Sequence, residues 1–171
     1  MAAKNEQLQI GNRSYLLPLA VGQSENFVCL FTQNQVVEIL APRFVQPIPG
    51  SPRYLKGVVL YRDDLLPVID LDELCSRHQP VQSERYRQLA VIRTGAVDPK
   101  TGVPLKAVVA ARDRMQIARI SGKELAETFK QRDVPPALSE SGLVRGCFRR
   151  EDDSVALLDL GPVVRGKYGP A

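Results

Sequence analysis

The sequence has no tryptophan and a single histidine, His78, among 171 residues, and aromatic residues make up only 6% of it. Proteins that hold bases by stacking need rings grouped on the binding face, and few are available here. His78 lies in the polar run SRHQPVQSERYRQ, a poor place to hold a general base in geometry, and no G-x-S-x-G turn supplies a nucleophile beside it. The three cysteines, Cys29, Cys75 and Cys147, are far apart and include no C-x-x-C. They form no disulfide framework, and the Cys75/His78 spacing has no second close pair to complete a zinc site. No apolar run approaches the length of a membrane span, and the start, MAAKNEQLQIGNRS, lacks the basic-then-apolar pattern of a secretory signal. These absences predict a cytoplasmic protein with reduced thiols, no metal, no cofactor, no catalytic residues and no direct membrane insertion.

Motifs for phosphate or acid–base chemistry are equally scarce. GAVDPKTG carries the Lys100-Thr101 pair of a phosphate loop, but Pro99 stands where glycine is required, and an apolar run follows instead of a helix start. It reads as a hairpin tip. The acidic groups Asp63-Asp64, Asp70-Asp72-Glu73 and Asp152-Asp153 read as turn and helix-cap residues rather than a converging catalytic pair. The net charge of +4 permits an acidic partner without requiring one.

Punctuation, by contrast, is plentiful. Thirteen prolines and twelve glycines separate short apolar runs: YLLPLAVG, FVCLF, VVEIL, RFVQPI, GVVLY, LLPVIDL, LAVIR, PLKAVVAA and RMQIARI. Runs of this length, rich in Val, Ile, Leu and Phe, predict an all-β chain of at least nine strands, arranged as small barrels or a sandwich. Pro67 cannot donate to a ladder, which places its strand at an edge or at a bulge. One short helix is predicted at SGKELAETFKQRD, capped by Ser121 and Glu124, with Leu125 and Phe129 on one face. Residues 1–13 read as a flexible arm.

One pattern occurs twice. GVVLYRDDLLPVIDL, from Gly57, aligns without a gap with GCFRREDDSVALLDL, from Gly146. Glycine faces glycine, Asp63-Asp64 faces Asp152-Asp153, Asp70-Leu71 faces Asp159-Leu160, and a base, Lys56 or Arg145, precedes each glycine. Each copy reads as a β-hairpin around an acidic turn in which aspartate tolerates a left-handed backbone. The repeat predicts two similar β units, approximately 14–80 and 81–171, too small to fold apart and therefore sharing an apolar seam.

VVEILAP, YLKGVVLYRDDLLPVIDLDEL and LVRGCFRREDDSVALLDL, in that order, resemble the CheW-like domain family of bacterial chemosensory coupling proteins, from about Tyr15 to Val164. The resemblance implies two five-stranded, SH3-like β-barrels packed on a shared hydrophobic interface, with the last strand able to cross to the first barrel. It implies a non-enzymatic adaptor between the cytoplasmic tip of a chemoreceptor and the regulatory domain of a histidine kinase, with oligomerisation in membrane-associated receptor arrays. VRGCFRRED is similar to adaptors of pilus-linked (twitching motility) systems. Carried over by position, the partner-binding residues are Val36 and Glu38 on the V-x-E-I strand, Lys56 and Gly57 at the hairpin base, and Arg62 and Asp63 in its turn. Each has an ordinary reading beside this one: core for Val36, close backbone approach for Gly57, solvated turn for Arg62. Asp63 replaces the family's usual glycine, and its charge is expected to compete for Arg62. The long tip at residues 95–104 is a second departure. The alternative reading is a basic β-barrel that binds single-stranded nucleic acid, for which GCFRR is the place where an aromatic adjoins a basic pair.

Overall fold

The computed structural model describes residues 13–20, 26–76, 85–120 and 142–168. The chain is mostly β. Five strands precede the first helix: β1 (Arg13–Leu19), β2 (Asn26–Thr32), β3 (Val36–Leu40), β4 (Leu55–Tyr61) and β5 (Asp64–Asp70). Helix α1 (Leu71–Cys75) comes next, then β6 (Gln88–Val97), β7 (Pro104–Ala111), β8 (Gln116–Arg119), β9 (Val144–Arg150), β10 (Asp153–Leu158) and α2 (Gly161–Val164). The helix expected at 121–133 lies outside the described residues, as do residues 77–84 of the polar run, with His78, and residues 1–12 of the expected 1–13 arm, whose last residue, Arg13, instead begins β1.

The strands form two five-stranded sheets, in the orders β3-β6-β7-β5-β4 and β8-β1-β2-β10-β9. Both repeated hairpins occupy the same place in their sheets. β5 runs parallel to β7, and β10 runs parallel to β2, while each pairs antiparallel with its own hairpin partner. The second sheet is thus a circular permutation of the first. Its C-terminal strands β8, β9 and β10 match β3, β4 and β5, and the N-terminal β1–β2 hairpin completes it as β6–β7 completes the other. A cut near residue 80 therefore falls inside both sheets, and the expected units 14–80 and 81–171 do not coincide with them.

Three apolar clusters explain why the sheets stay together. One lines the first sheet alone, with Val59, Val68, Leu89, Val91 and Val108 among its members. A second lines the other sheet alone, with Leu16, Val28, Leu30, Phe148 and Val155. The largest draws on both sheets, including Leu17, Phe27 and Phe31 from one and Ile69, Ile92 and Val109 from the other. Strand alternation produces this directly: Val68, Val91 and Val108 face the first sheet's own cluster, and their neighbours Ile69, Ile92 and Val109 face the seam. Phe27, Phe31 and Phe148 are fully buried, each contributing roughly 1.5–3 kcal/mol. Because residue 80 separates β10 from β2 and β5 from β7, residues 1–80 and 81–171 expressed separately are expected to show no cooperative thermal transition. Dispersed spectra and sharp melts from both halves would contradict the shared seam.

Three local expectations fail for visible reasons. RFVQPI forms no strand; Pro47 interrupts it, Pro42 and Pro49 flank it, and only Gln46 pairs, in a single bridge with Val58. Pro67 lies in an internal strand, not at an edge. The parallel ladder to β7 begins only at Val68, so at Pro67 the strand has β4 alone beside it, and the missing N–H costs nothing there. The 95–104 tip is shorter than expected, because β6 continues to Val97. The Asp98 carboxylate accepts from the Lys100 and Thr101 amides at 2.7 and 3.4 Å, and Gly102 supplies φ +69°, which close it as a turn.

Candidate partner-binding surface

The β4–β5 turn has only two residues, Arg62 and Asp63, because Tyr61 pairs directly with Asp64. The left-handed residue is Arg62 (φ 55°), matched in the second hairpin by Glu151 (φ 54°), not the aspartate beside either. A non-glycine residue there carries a strain of about 1 kcal/mol, which marks the turn as held by its surroundings. Glu38 does much of the holding. Its Oε2 accepts a 2.6 Å hydrogen bond from the Tyr61 hydroxyl and lies 3.7 Å from an Arg62 guanidinium nitrogen. The guanidinium also sits over the Tyr61 ring, 5.1 Å from its centroid. The hydrogen bond to Glu38, aided by burial, raises the Tyr61 phenol above its ordinary pKa. Glu38 belongs to β3 and Tyr61 to β4, the two ends of the strand order, so this contact and the Gln46–Val58 bridge draw the sheet's edges toward each other.

Arg62 remains 73% exposed. Asp63 forms no ion pair with it; the competing carboxylate is that of Glu38, which sequence adjacency could not reveal. Beside the turn, Leu60 and Leu65 face each other across the strands and are 60% and 68% exposed, with Phe44 at 78%. The repeat breaks here. The positions matching Leu60 and Leu65 are Arg149, which is exposed, and Ser154, which is buried. Leu65 also lines a cleft of about 440 Å³ against the 98–103 tip, with Val103, Leu105 and Val164.

The other expected residues are packed into the fold. Val36 is half-buried against the seam and pairs with Ile92. Gly57 has φ +141°, and a Cβ there would stand 2.0 Å from the Gln46 carbonyl oxygen. Lys56 faces inward, with its Nζ 3.5 Å from Glu73 and 3.9 Å from Asp70.

Lys56 belongs to a polar cluster that the sequence did not announce. Asp70, fully buried, caps α1 by accepting from the Glu73 amide, and also accepts from the Tyr86 hydroxyl at 2.9 Å and from Arg112 at 2.7 Å. Asp72 accepts from Arg112 at 3.3 Å and from the Ala20 amide, at the end of β1, at 2.6 Å, which ties one sheet to the other. Burial raises the Asp72 carboxyl above its ordinary range, opposed by the Ala20 amide and by Arg112. The second hairpin repeats the device in simpler form: Asp159 accepts from the Gly161 amide at 2.8 Å and pairs with Arg145. The basic residue before each repeated glycine therefore neutralises the aspartate that ends the same hairpin. Arg112 carried no local signal, since only the fold brings the end of β7 to α1.

Cys29, Cys75 and Cys147 are buried, and burial pushes the Cys29 and Cys75 thiols above the ordinary thiol range. Among the described residues no three His, Cys, Asp or Glu side chains are arranged to hold a metal ion, and no helix is long and apolar enough to cross a membrane.

The CheW-like domain model matches residues 16–166. The chain belongs to the CheW-like domain family. The solved structure of the scaffolding protein TtCheW from Thermoanaerobacter tengcongensis is similar over 95% of this chain and 92% of its own, with a TM-score of 0.63 at 16% identity. At that identity the likeness concerns the fold, and it extends the CheW-like architecture over both sheets. No curated protein sequence matches.

Proposed function

We propose that this CheW-like chain is a non-enzymatic adaptor that couples the cytoplasmic tip of a chemoreceptor to the regulatory domain of a histidine kinase. It works in the cytoplasm, within receptor arrays in which it oligomerises, in chemotaxis or pilus-mediated motility. The observation that carries the reading is the exposed Leu60–Leu65 pair beside an arginine held in one orientation by Glu38 and Tyr61. Exposed apolar area next to an anchored arginine is the composition of a protein-binding hot spot. A nucleic-acid surface would need several exposed rings, and Phe44 is the one exposed aromatic among the described residues.

On this reading Glu38, Arg62 and Asp63 face the receptor, while Val36, Lys56 and Gly57 keep the hairpin in position. Arg62→Ala is expected to weaken binding of a receptor-tip fragment by about tenfold or more, the worth of a charge-assisted hydrogen bond. The thermal midpoint should stay close to wild type, because the side chain is mostly solvated. Calorimetric titration measures the first and a melt the second. Wild-type affinity in the variant, or a loss that merely tracks unfolding, would refute the role of the turn.

A further inference from the structure

Helix α1 follows β5 of the first sheet, yet it is tied to the second: the Ala20 amide, at the end of β1, donates to Asp72 Oδ1 at 2.6 Å. Three almost fully buried carboxylates gather there, Asp70 at the end of β5 and Asp72 and Glu73 on α1. Two largely buried cations stand among them. Arg112, from beyond β7, reaches all three, while Lys56, from β4, pairs with Asp70 and Glu73 and not with Asp72. Arg53, before β4, adds a mostly exposed contact to Glu73. Tyr86, before β6, donates its hydroxyl to Asp70, and the Cys75 thiol on α1 is buried and held neutral. Asp70 therefore has two cations, a phenol and the Glu73 amide. Asp72 has one cation, at 3.3 Å, and the Ala20 amide.

Three buried carboxylates against two buried cations leave one negative charge in excess, and a proton relieves it best on the member with the fewest partners, Asp72. Burial pushes its carboxyl in the same direction, above the ordinary aspartate range. The Ala20 amide opposes that shift, because it bonds more strongly to a carboxylate than to a neutral carboxyl. By linkage, the bond between Ala20 and Asp72 must weaken when the proton is taken up. We propose that Asp72 is a proton-operated clasp between the two sheets: ionised, it holds the end of β1 to α1, and protonated, it releases that end. The seam cluster keeps the sheets together in both states, and Arg112 stays bound to Asp70 at 2.7 Å. Release is local. A carboxyl with a raised folded pKa adds stability as the proton binds, so mild acidification frees the end of β1 without unfolding the chain. The clasp does not depend on the reading of the Arg62 turn.

The test uses the full chain, labelled with ¹⁵N and ¹³C and titrated by NMR from neutral pH down to about pH 4. The Ala20 amide and the Asp72 carboxyl carbon are expected to titrate together, with a midpoint above the ordinary aspartate value of about 3.9. Protection of the Ala20 amide from hydrogen exchange, relative to the unfolded-chain rate at each pH, should fall about tenfold across that step, while amides of the β1–β2 ladder keep theirs. Asp72→Asn, a neutral isostere, should show the low Ala20 protection already at neutral pH and abolish the titration. Where that variant does not fold, the wild-type titration decides alone. An Ala20 amide that ignores pH, a midpoint different from that of Asp72 or within the ordinary aspartate range, an unchanged titration in Asp72→Asn, or loss of protection along the whole β1–β2 ladder at once would each overturn the proposal.

Discussion

Gly57→Ala is expected to destabilise the protein by at least about 3 kcal/mol, combining left-handed strain with a collision. At φ +141° an L-residue is strained in any case, and its Cβ would meet the Gln46 carbonyl oxygen at 2.0 Å and the Pro47 Cα at 2.9 Å. Both are backbone atoms, so no side-chain rotation relieves the contact. The Gln46 segment must leave β4, breaking the two 2.8 Å hydrogen bonds of the Gln46–Val58 bridge and loosening the sheet edge near the Tyr61–Glu38 contact. Urea unfolding monitored by circular dichroism measures the loss. A variant within about 0.5 kcal/mol of wild type would show that the close approach is not required. On the proposed function, any loss of partner binding in Gly57→Ala is expected to follow from a displaced hairpin rather than from a lost contact.

The second large effect is expected at Arg112. Arg112→Ala leaves Asp70 and Asp72, both buried, without their shared guanidinium, and breaking a buried pair in this way costs about 3–5 kcal/mol. The pH dependence has a definite sign. Asp72 has its folded pKa raised by burial, so its contribution to stability is complete below the ordinary carboxylate range and is lost as pH rises through the folded value. Arg112 is one of the two groups that favour the ionised form, the Ala20 amide being the other. Without Arg112 the folded pKa of Asp72 climbs further, and protonation relieves more of the penalty. The deficit of Arg112→Ala relative to wild type should therefore shrink as pH falls from neutral toward the carboxylate range. A deficit that is constant with pH, or one below about 1 kcal/mol at neutral pH, would mean that the cluster does not hold α1 to the sheets. Lys56 and Arg53 also approach Glu73, at 3.5 Å each, but Arg53 is largely exposed and Lys56 stays 3.9 Å from Asp70, so neither replaces a guanidinium between two buried carboxylates.

Much of this protein was determined locally. Short apolar runs between prolines and glycines set the strand positions, because backbone dihedrals and side-chain alternation act over a few residues. The two matching hairpins were legible for the same reason, down to the aspartate at the end of each, whose carboxylate accepts from an amide of the next turn. Their family resemblance carried Glu38 and Arg62 into the candidate site. What only the tertiary structure decided involves partners distant in sequence. Two sheets related by circular permutation, the second completed by strands from opposite ends of the chain, leave no mark on a local pattern, since strand pairing depends on which edges meet after collapse. The turn arginine pairs with Glu38 and not with adjacent Asp63, because the fold brings a β3 side chain to the β4–β5 turn. Arg112 reaches Asp70 and Asp72 only where the end of β7 meets α1, and the Ala20 amide reaches Asp72 only once the two sheets pack together. Charge placement of this kind is a property of packing, in which burial and the distance between side chains, not their order in the chain, set the energy.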